Sequence, residues 1–184
     1  LQLVAHAWNG KSDMTRRRSL LETLATVLVV IVAAFIIHPH NAQPSANITA
    51  GSSLISNIIQ DVADGKVETR TLIPPGVCPG LYDVKPSDIE ALANSTALFI
   101  HDYQQYFQNI NGAIEAAKNL DLIIRAINVT GNWMVPAVQA EAGGKIAEAL
   151  SEVDPENAAY YAGNATERAQ VILAKGEEVR NRLV

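Results

Sequence analysis

Two side chains that bind soft metals lie where turns follow predicted strands. Cys78 falls in a segment rich in proline and glycine, and His101 ends a short apolar run. A cysteine thiolate is a strong zinc ligand at about 2.3 Å, and a carboxylate of Asp83 or Asp102 could complete part of a coordination shell. This set predicts a partial soft-metal site. The alternative is a buried thiol and a locally hydrogen-bonded histidine, since one Cys and one His without close spacing form a weak pattern.

Aromatic side chains accompany these groups. Tyr82 and Trp133 could line a cleft for an organic or chelated ligand, and the alternative for both is packing in the core or at its rim. Tyr103, Tyr106 and Phe107 follow at helical spacing. A stripe of this kind is typical of a helix face that packs into the core, so we expect these three rings to be buried.

An enzymatic use of the same residues is disfavoured. A nucleophilic Cys78 with His101 as its base would need a third group to orient the base, and the sequence supplies none. Gly143 and Gly144 fall inside a helical pattern without the Lys-Ser/Thr that a phosphate-binding loop requires. We therefore expect a protein that is not an enzyme.

The elements that must position these residues alternate between strands and helices. Hydrophobic spacing and turn signals predict strands at 67–73, 96–101 and 121–127. The helical spacing of Leu54, Ile55, Ile58, Ile59 and Val62 after an N-capping serine, Ser52 or Ser53, predicts a helix over 52–62. Further predicted helices lie at 86–90, 103–118, 138–150 and from 154 to the chain end. This order indicates an α/β fold, with a parallel sheet flanked by helices and a long C-terminal helix. Ligands of such sheets bind outside the carboxyl ends of the strands, which points to the loops 74–83, 101–103 and 128–136.

The N-terminal part predicts export. Arg16, Arg17 and Arg18 precede an apolar run over 24–37. This layout is typical of a signal or membrane anchor, so we expect residues 14–37 to form an N-terminal hydrophobic helix and the rest to be extracytoplasmic, anchored or secreted. Residues 1–13 form an upstream extension, and 38–47 form a linker.

Composition narrows the class of partner. The chain has 184 residues, a net charge of −5, 48% hydrophobic and 18% charged residues, which is typical of a globular domain. An acidic chain offers no basic surface for a phosphate backbone, so nucleic acid is not an expected partner. The single cysteine excludes an intrachain disulfide.

Three segments carry a resemblance to a known family. The chain resembles the zinc/manganese solute-binding proteins of ABC transporters (cluster A-I type) over residues 48–184. The matching segments are a first ligand loop at 67–77 with Pro79, Tyr82, Asp83 and 86–88, a second at 132–136, and the start of a long backbone helix at 147–150 and 154–161.

The resemblance implies a fold and a role. Members have two α/β lobes joined by a long helix, with metal held in the cleft between them. This chain would supply the first lobe (48–153) and the backbone helix (154–184) and stop before the second lobe. The implied partners are a membrane ABC permease and a transported ligand, either zinc, manganese or a metal complex. The alternative is a membrane-anchored, non-catalytic interaction module, and an uncovered stripe on the last helix predicts self-association.

Two departures concern the metal site itself. The family places a histidine between the proline and the tyrosine of the first loop, where this chain has Gly80 and Leu81. A second histidine is expected two residues before Trp133, where this chain has Gly131. Neither glycine nor leucine has a ligating side chain, so the family's usual pair of ligands is not carried over.

Overall fold

The computed structural model of the chain describes residues 45–183. The predicted anchor at 14–37 and the extension at 1–13 lie outside these residues, as does most of the predicted linker. Residues 45–183 contain four strands in one fully parallel sheet of order β2-β1-β3-β4. The strands are β1 (Asn47–Ala50), β2 (Glu68–Thr71), β3 (Ala97–His101) and β4 (Ile123–Ile127). No helix within 45–183 has both the length and the apolarity needed to cross a membrane.

Five α-helices and three 3₁₀ turns connect the strands of this region. The α-helices are α1 (Ser53–Ala63), α2 (Pro86–Ala93), α3 (Gln108–Ala117), α4 (Pro136–Val153) and α5 (Ala158–Leu183). The 3₁₀ turns span Pro79–Leu81, Asp102–Tyr106 and Pro155–Asn157. The α/β class, the parallel sheet flanked by helices and the long C-terminal helix are thus confirmed.

The sheet separates two apolar layers. On one face, Ile48 and Phe99 pack with helices α1, α4 and α5 in the largest cluster of buried side chains. On the other face, Leu98 and Ile100 pack against α2 and α3. Because successive residues of a strand point to opposite faces, an unbroken apolar strand such as β3 must be covered on both sides.

Strand β1 lies inside the sheet, between β2 and β3, although the sequence analysis assigned its first residue to the linker. Ala46 is only 6% exposed, and its carbonyl accepts from the Glu68 amide at 2.9 Å. The Ser45 amide likewise donates to the Lys66 carbonyl at 2.9 Å. The packed domain therefore includes residues 45–47.

Helix α1 begins as predicted. The Ser52 Oγ accepts a hydrogen bond from the Ile55 amide at 3.3 Å, which caps one of the free amides of the first turn. The helix ends at Asp64, whose φ of 43° is left-handed, followed by Gly65 at φ 83°. Four of its five large aliphatic side chains (Ile55, Ile58, Ile59 and Val62) are buried, and Leu54 is half-buried.

A buried carboxylate fixes the joint between α4 and α5. Asp154 accepts hydrogen bonds from the hydroxyls of Ser45 and Tyr161 and from the Asn157 amide. Burial alone would raise the pKa of Asp154, but these hydrogen bonds outweigh it and hold the pKa below its ordinary value. The ionised group thus ties the start of the domain to the start of the last helix.

Helix α5 is long, about 39 Å at 1.5 Å per residue over its 26 residues. It does not run unbroken from Asp154 as predicted, because the 3₁₀ turn Pro155–Asn157 precedes it. Its N-terminal half packs on α1 and α4, and Arg168 pairs with Asp61 at 2.8 Å. Its C-terminal half exposes apolar side chains, among them Val179 at 49% and Leu183 at 83%.

The helix predicted over 103–118 is divided. Residues Asp102–Tyr106 form a 3₁₀ turn, and α3 starts only at Gln108. The buried Gln104 bonds the backbone at this point, which favours a tight turn over a regular helix. The expectation of a buried aromatic stripe is wrong for two of its rings, because Tyr103 is 46% and Tyr106 77% exposed.

Two glycines of α5 give a matched test of its packing. A Cβ on Gly176 would lie 2.9 Å from Cγ of Pro136 at the start of α4, whereas a Cβ on Gly163 would meet nothing within 4 Å. We expect Gly163→Ala to stabilise the domain by about 0.5–1 kcal/mol through helix propensity. We expect Gly176→Ala to destabilise it by about 1 kcal/mol through overpacking. Urea unfolding followed by circular dichroism measures both, and equal effects of the two substitutions would contradict the close contact.

Candidate ligand site at the carboxyl edge of the sheet

The carboxyl ends of the four parallel strands bring four connections to one edge. Gly51 and Ser52 follow β1, and residues 72–85 follow β2. The 3₁₀ turn Asp102–Tyr106 follows β3, and residues 128–135 follow β4. The three loops singled out from the sequence therefore share this edge, as the rule for open α/β sheets requires.

One buried amide joins the ends of β1 and β3. Gln104 is completely buried, and its Nε2 donates to the Gly51 carbonyl at 3.0 Å while its Oε1 accepts from the His101 amide at 2.9 Å. A Cβ on Gly51 would come within 2.8 Å of Gln104 Oε1 and of the Ile100 side chain. Only glycine at position 51 permits this approach, so Gly51 and Gln104 form one unit.

His101 contacts residues from three of the four connections. Its Nε2 lies 2.9 Å from Ser52 Oγ, its ring meets Trp133 edge-on at 4.2 Å between centroids, and it stacks on Tyr103 at 5.1 Å. The side chain is 3% exposed. Burial, only partly offset by the charge of Asp102, lowers the pKa of His101 to about 4, so the imidazole is neutral at pH 7.

An aromatic row extends from this histidine across the edge. We define it as Trp133, His101, Tyr103 and Phe107, in that spatial order. Tyr103 and Phe107 are 5.8 Å apart, and Phe107 lies 3.7 Å from where a Cβ on Gly80 would be. Trp133 is 7% exposed, and its indole N–H donates to the Val129 carbonyl at 3.3 Å. The row thus connects the loop after β4 with the loop after β2.

The predicted metal-binding residues occupy different environments. Cys78 is an exposed free thiol, Asp83 is exposed, and Asp102 is half-buried at the start of the 3₁₀ turn. His101 is buried with Nε2 engaged by Ser52. Within residues 45–183, no three His, Cys, Asp or Glu side chains lie close enough together to hold a metal ion.

Cys78 is nevertheless electrostatically linked to the row. Burial raises the pKa of Tyr103, and the charges of Asp102 and Cys78 raise it further.

Tyr82 belongs to the support of the first loop. It is 7% exposed, and its hydroxyl donates to Asp88 Oδ2 at 2.8 Å, while burial and this contact raise the pKa of Tyr82 to about 12. The same Asp88 oxygen accepts from the Lys85 amide, and the Asn109 side chain donates to the carbonyls of Pro79 and Tyr82. Hydrogen bonds to Asp88 of α2 and from Asn109 of α3 therefore fix the loop after β2.

The two glycines at which the sequence resemblance implies a histidine, Gly80 and Gly131, differ in backbone conformation. Gly131 has a φ of 115°, which side-chain-bearing residues rarely adopt, and a Cβ there would lie 3.2 Å from Val138. Gly80 has no such restriction. The loop after β4 is therefore shaped around glycine and does not simply lack a side chain.

Sequence reasoning missed three residues of this site. Ser52 was identified only as a helix cap, Gln104 was taken as part of a helix, and Phe107 was assigned to the core without its link to the first loop. One feature of the sequence could have identified Gln104, since this polar residue lies three positions after the end of a predicted strand and between two tyrosines.

The buried, neutral His101 predicts a pH dependence of stability. Its folded pKa of about 4 lies below the unfolded value of 6.5, so stability is present above pH 6.5 and is lost as pH falls towards 4. This contribution should amount to about 2 kcal/mol between pH 7 and 4.5. Chemical unfolding of the native chain and of His101→Phe at a series of pH values measures it. We expect the free energy of unfolding to fall less steeply below pH 6.5 in His101→Phe than in the native chain. The same dependence on pH in both proteins would contradict the prediction.

Solved structures share this fold at low sequence identity. Zn(II)-bound AdcA from Streptococcus pneumoniae matches with a TM-score of 0.60 and 12% identity, over 72% of this chain and 32% of that protein. A Cd-bound periplasmic metal binding protein from Candidatus Liberibacter asiaticus gives 0.55 and 22%, over 73% and 53%. The laminin-binding protein Lbp of Streptococcus pyogenes gives 0.60 and 14%, over 72% and 54%.

The chain therefore spans about a third to a half of these proteins. At this identity the likeness shows the fold alone. The family model of ZnuA, described as the periplasmic component A of the zinc-uptake complex, matches residues 48–184, the same span over which the resemblance was recognised. The chain belongs to this zinc-uptake family.

Proposed function

We propose that this chain acts as an extracytoplasmic solute-binding component of an ABC importer, supplying the lobe that presents a transition metal or metal complex to a membrane permease. The observation that carries the proposal is membership of the zinc-uptake family over residues 48–184. Zinc and manganese are the candidate ions, as transported ligands and not as resident cofactors. A role in capture requires no catalytic group.

The geometry supports this use of the carboxyl edge. All four connections meet there, and hydrogen bonds from the buried Gln104 and the half-buried Asn109 hold two of them in place. A pre-positioned set of loops reduces the ordering cost of binding. The position of the edge agrees with the general rule for ligands of open α/β sheets.

Among the candidate ligands, Cys78 and Asp83 are available and His101 is not free. Both Cys78 and Asp83 are exposed in the loop after β2, whereas His101 Nε2 would have to leave Ser52 before it could reach a metal. We propose Cys78 as the principal contact to a soft ion, with Asp83 contributing charge. Tyr82, Asp102 and Trp133 support or border the cleft.

A single substitution tests the thiol. We expect the full chain to bind zinc and Cys78→Ala to lower its affinity by at least about tenfold, or 1.4 kcal/mol, because a thiolate ligand is lost. Equilibrium dialysis with metal detection by mass spectrometry gives the constants. Val77→Ala, at the neighbouring exposed position, is the matched control and should bind as the native chain does. Unchanged affinity in Cys78→Ala would remove Cys78 from the site.

The C-terminal half of α5 is the proposed surface for self-association. It forms a groove of 740 Å³ with the start of α4, and the groove includes Met134, Val135, Leu173 and Val179. Charges of both signs also line the groove, from Lys175, Glu177 and Arg180, and the same helix carries Glu178 and Arg182 beside it. Such a surface is self-complementary for an antiparallel second copy, which is the occupant we propose.

Charge placed in the groove tests this surface. We expect a Leu173→Glu/Val179→Glu double variant to weaken self-association by at least about tenfold, since two carboxylates would have to be buried. Sedimentation velocity over a concentration series measures it. Leu120→Glu, at a leucine that is 98% exposed outside the groove, is the control. A native chain that remains monomeric throughout the series would refute the proposal.

A further inference from the structure

A polar cavity lies at the amino ends of the strands, away from the candidate ligand site. It has a volume of about 340 Å³, which is at the lower end of the range for small-molecule sites, and it is bordered by β1, β2 and the end of α2. The loops of the carboxyl edge at 72–83, 102–107 and 128–135 contribute no residue to it. The proposed metal capture therefore leaves this cavity without a role.

The sheet supplies one wall of the cavity. Two register pairs form this wall, Asn47 with Glu68 and Thr49 with Arg70. Because alternate residues of a strand point to the same face, the four side chains lie together on one side of the sheet. Thr49 also pairs with Leu98, so this is the side that α2 and α3 cover farther along the sheet.

Hydrogen bonds inside the cavity use donors and leave acceptors. The Ser95 hydroxyl donates to the Ala91 carbonyl at 2.7 Å, so Thr49 must be the donor to Ser95 Oγ, which is also 2.7 Å away. Thr49 is only 1% exposed, and its Oγ1 keeps both lone pairs. Asn94 likewise donates through Nδ2 to the Glu90 carbonyl at 2.9 Å, which leaves its Oδ1 as an acceptor.

Three charged side chains line the same cavity. Glu68, Arg70 and Glu90 are exposed, and none of them forms an ion pair with another residue of 45–183. Glu90 lies in the last turn of α2, which has no basic residue, although the helix dipole favours a cation at this end. The cavity thus offers two carboxylates and a helix C-terminus to positive charge, and one guanidinium to negative charge.

We propose that this cavity binds a cationic α-amino acid whose side chain ends in an ammonium group. Arg70 and Glu68, about 6.6 Å apart along β2, bind its α-carboxylate and α-ammonium groups, and Glu90 binds the side-chain ammonium. The charge of +1 on the ligand balances the charge of −1 on the three side chains. A neutral amino acid leaves Glu90 without a partner, and a diamine leaves Arg70 without one.

Binding of L-lysine to the full chain, measured by isothermal titration calorimetry, tests the proposal. The comparison probes are L-norleucine, which lacks the side-chain ammonium, and 1,5-diaminopentane, which lacks the carboxylate. We expect L-lysine to bind at least about tenfold more tightly than either probe, because each probe loses one charged contact.

Two variants assign the contacts. Arg70→Gln should weaken L-lysine binding at least about tenfold without weakening the binding of 1,5-diaminopentane, because only the carboxylate contact is lost. Glu90→Gln should weaken L-lysine binding to a similar extent and leave the binding of L-norleucine unchanged. Glu115→Gln, which removes an exposed carboxylate of α3 outside the cavity, is the matched control and should bind like the native chain.

Each contrary result overturns a stated part of the proposal. Equal binding of L-lysine and of either comparison probe by the native chain overturns the class of ligand. Native affinity for L-lysine in Arg70→Gln or Glu90→Gln overturns the site, and failure of the native chain to bind L-lysine overturns the whole inference. None of these results bears on metal capture, because Cys78 and Asp83 lie outside the cavity.

Discussion

The candidate site depends on one buried amide. The Nε2 of Gln104 donates to the Gly51 carbonyl after β1 at 3.0 Å, and its Oε1 accepts from the His101 amide at the end of β3 at 2.9 Å. A buried side-chain amide left without partners costs about 1–3 kcal/mol, so this arrangement is strongly favoured once the chain has folded. The amide can approach only because residue 51 is glycine. The tight turn that follows β3 then places Tyr103 and Tyr106 outside, and His101 inside.

The scaffold around this edge is rigid for a separate reason. Three helices cover one face of the sheet and two cover the other, which buries every residue of β3. The ionised Asp154 joins residues 45, 157 and 161, so the chain's path into β1 and its path into α5 are fixed by the same carboxylate. The loops at the carboxyl edge of the sheet are therefore attached to a framework that apolar packing and the hydrogen bonds of Asp154 hold in place.

The sequence predicted most of the helices and strands, but it did not predict the contacts between the loops that follow them. The spacing of Ile55, Ile58, Ile59 and Val62 after a serine cap predicted α1 because burial and capping are local properties. Strand β1 was missed because four residues following a polar segment carry too little periodicity to be recognised.

The interior of the site could not be predicted in the same way. The row of Trp133, His101, Tyr103 and Phe107 combines residues from different loops, and their contact is a product of strand order. The aromatic spacing over 103–107 suggested a helix face, but the competing hydrogen bonds of Gln104 produced a 3₁₀ turn that exposes two of the rings. Local pattern was overridden there by a long-range contact between β1 and β3.

The two positions at which the resemblance implies a histidine differ in what their backbone allows. At Gly131 the backbone itself is left-handed, so restoring a histidine there would demand a change of loop conformation as well as a side chain. At Gly80 the backbone carries no such restriction, and a Cβ would make only an ordinary contact of 3.7 Å with the Phe107 ring. A side chain can therefore be introduced in the loop after β2 without moving the backbone, whereas the loop after β4 must first change its conformation.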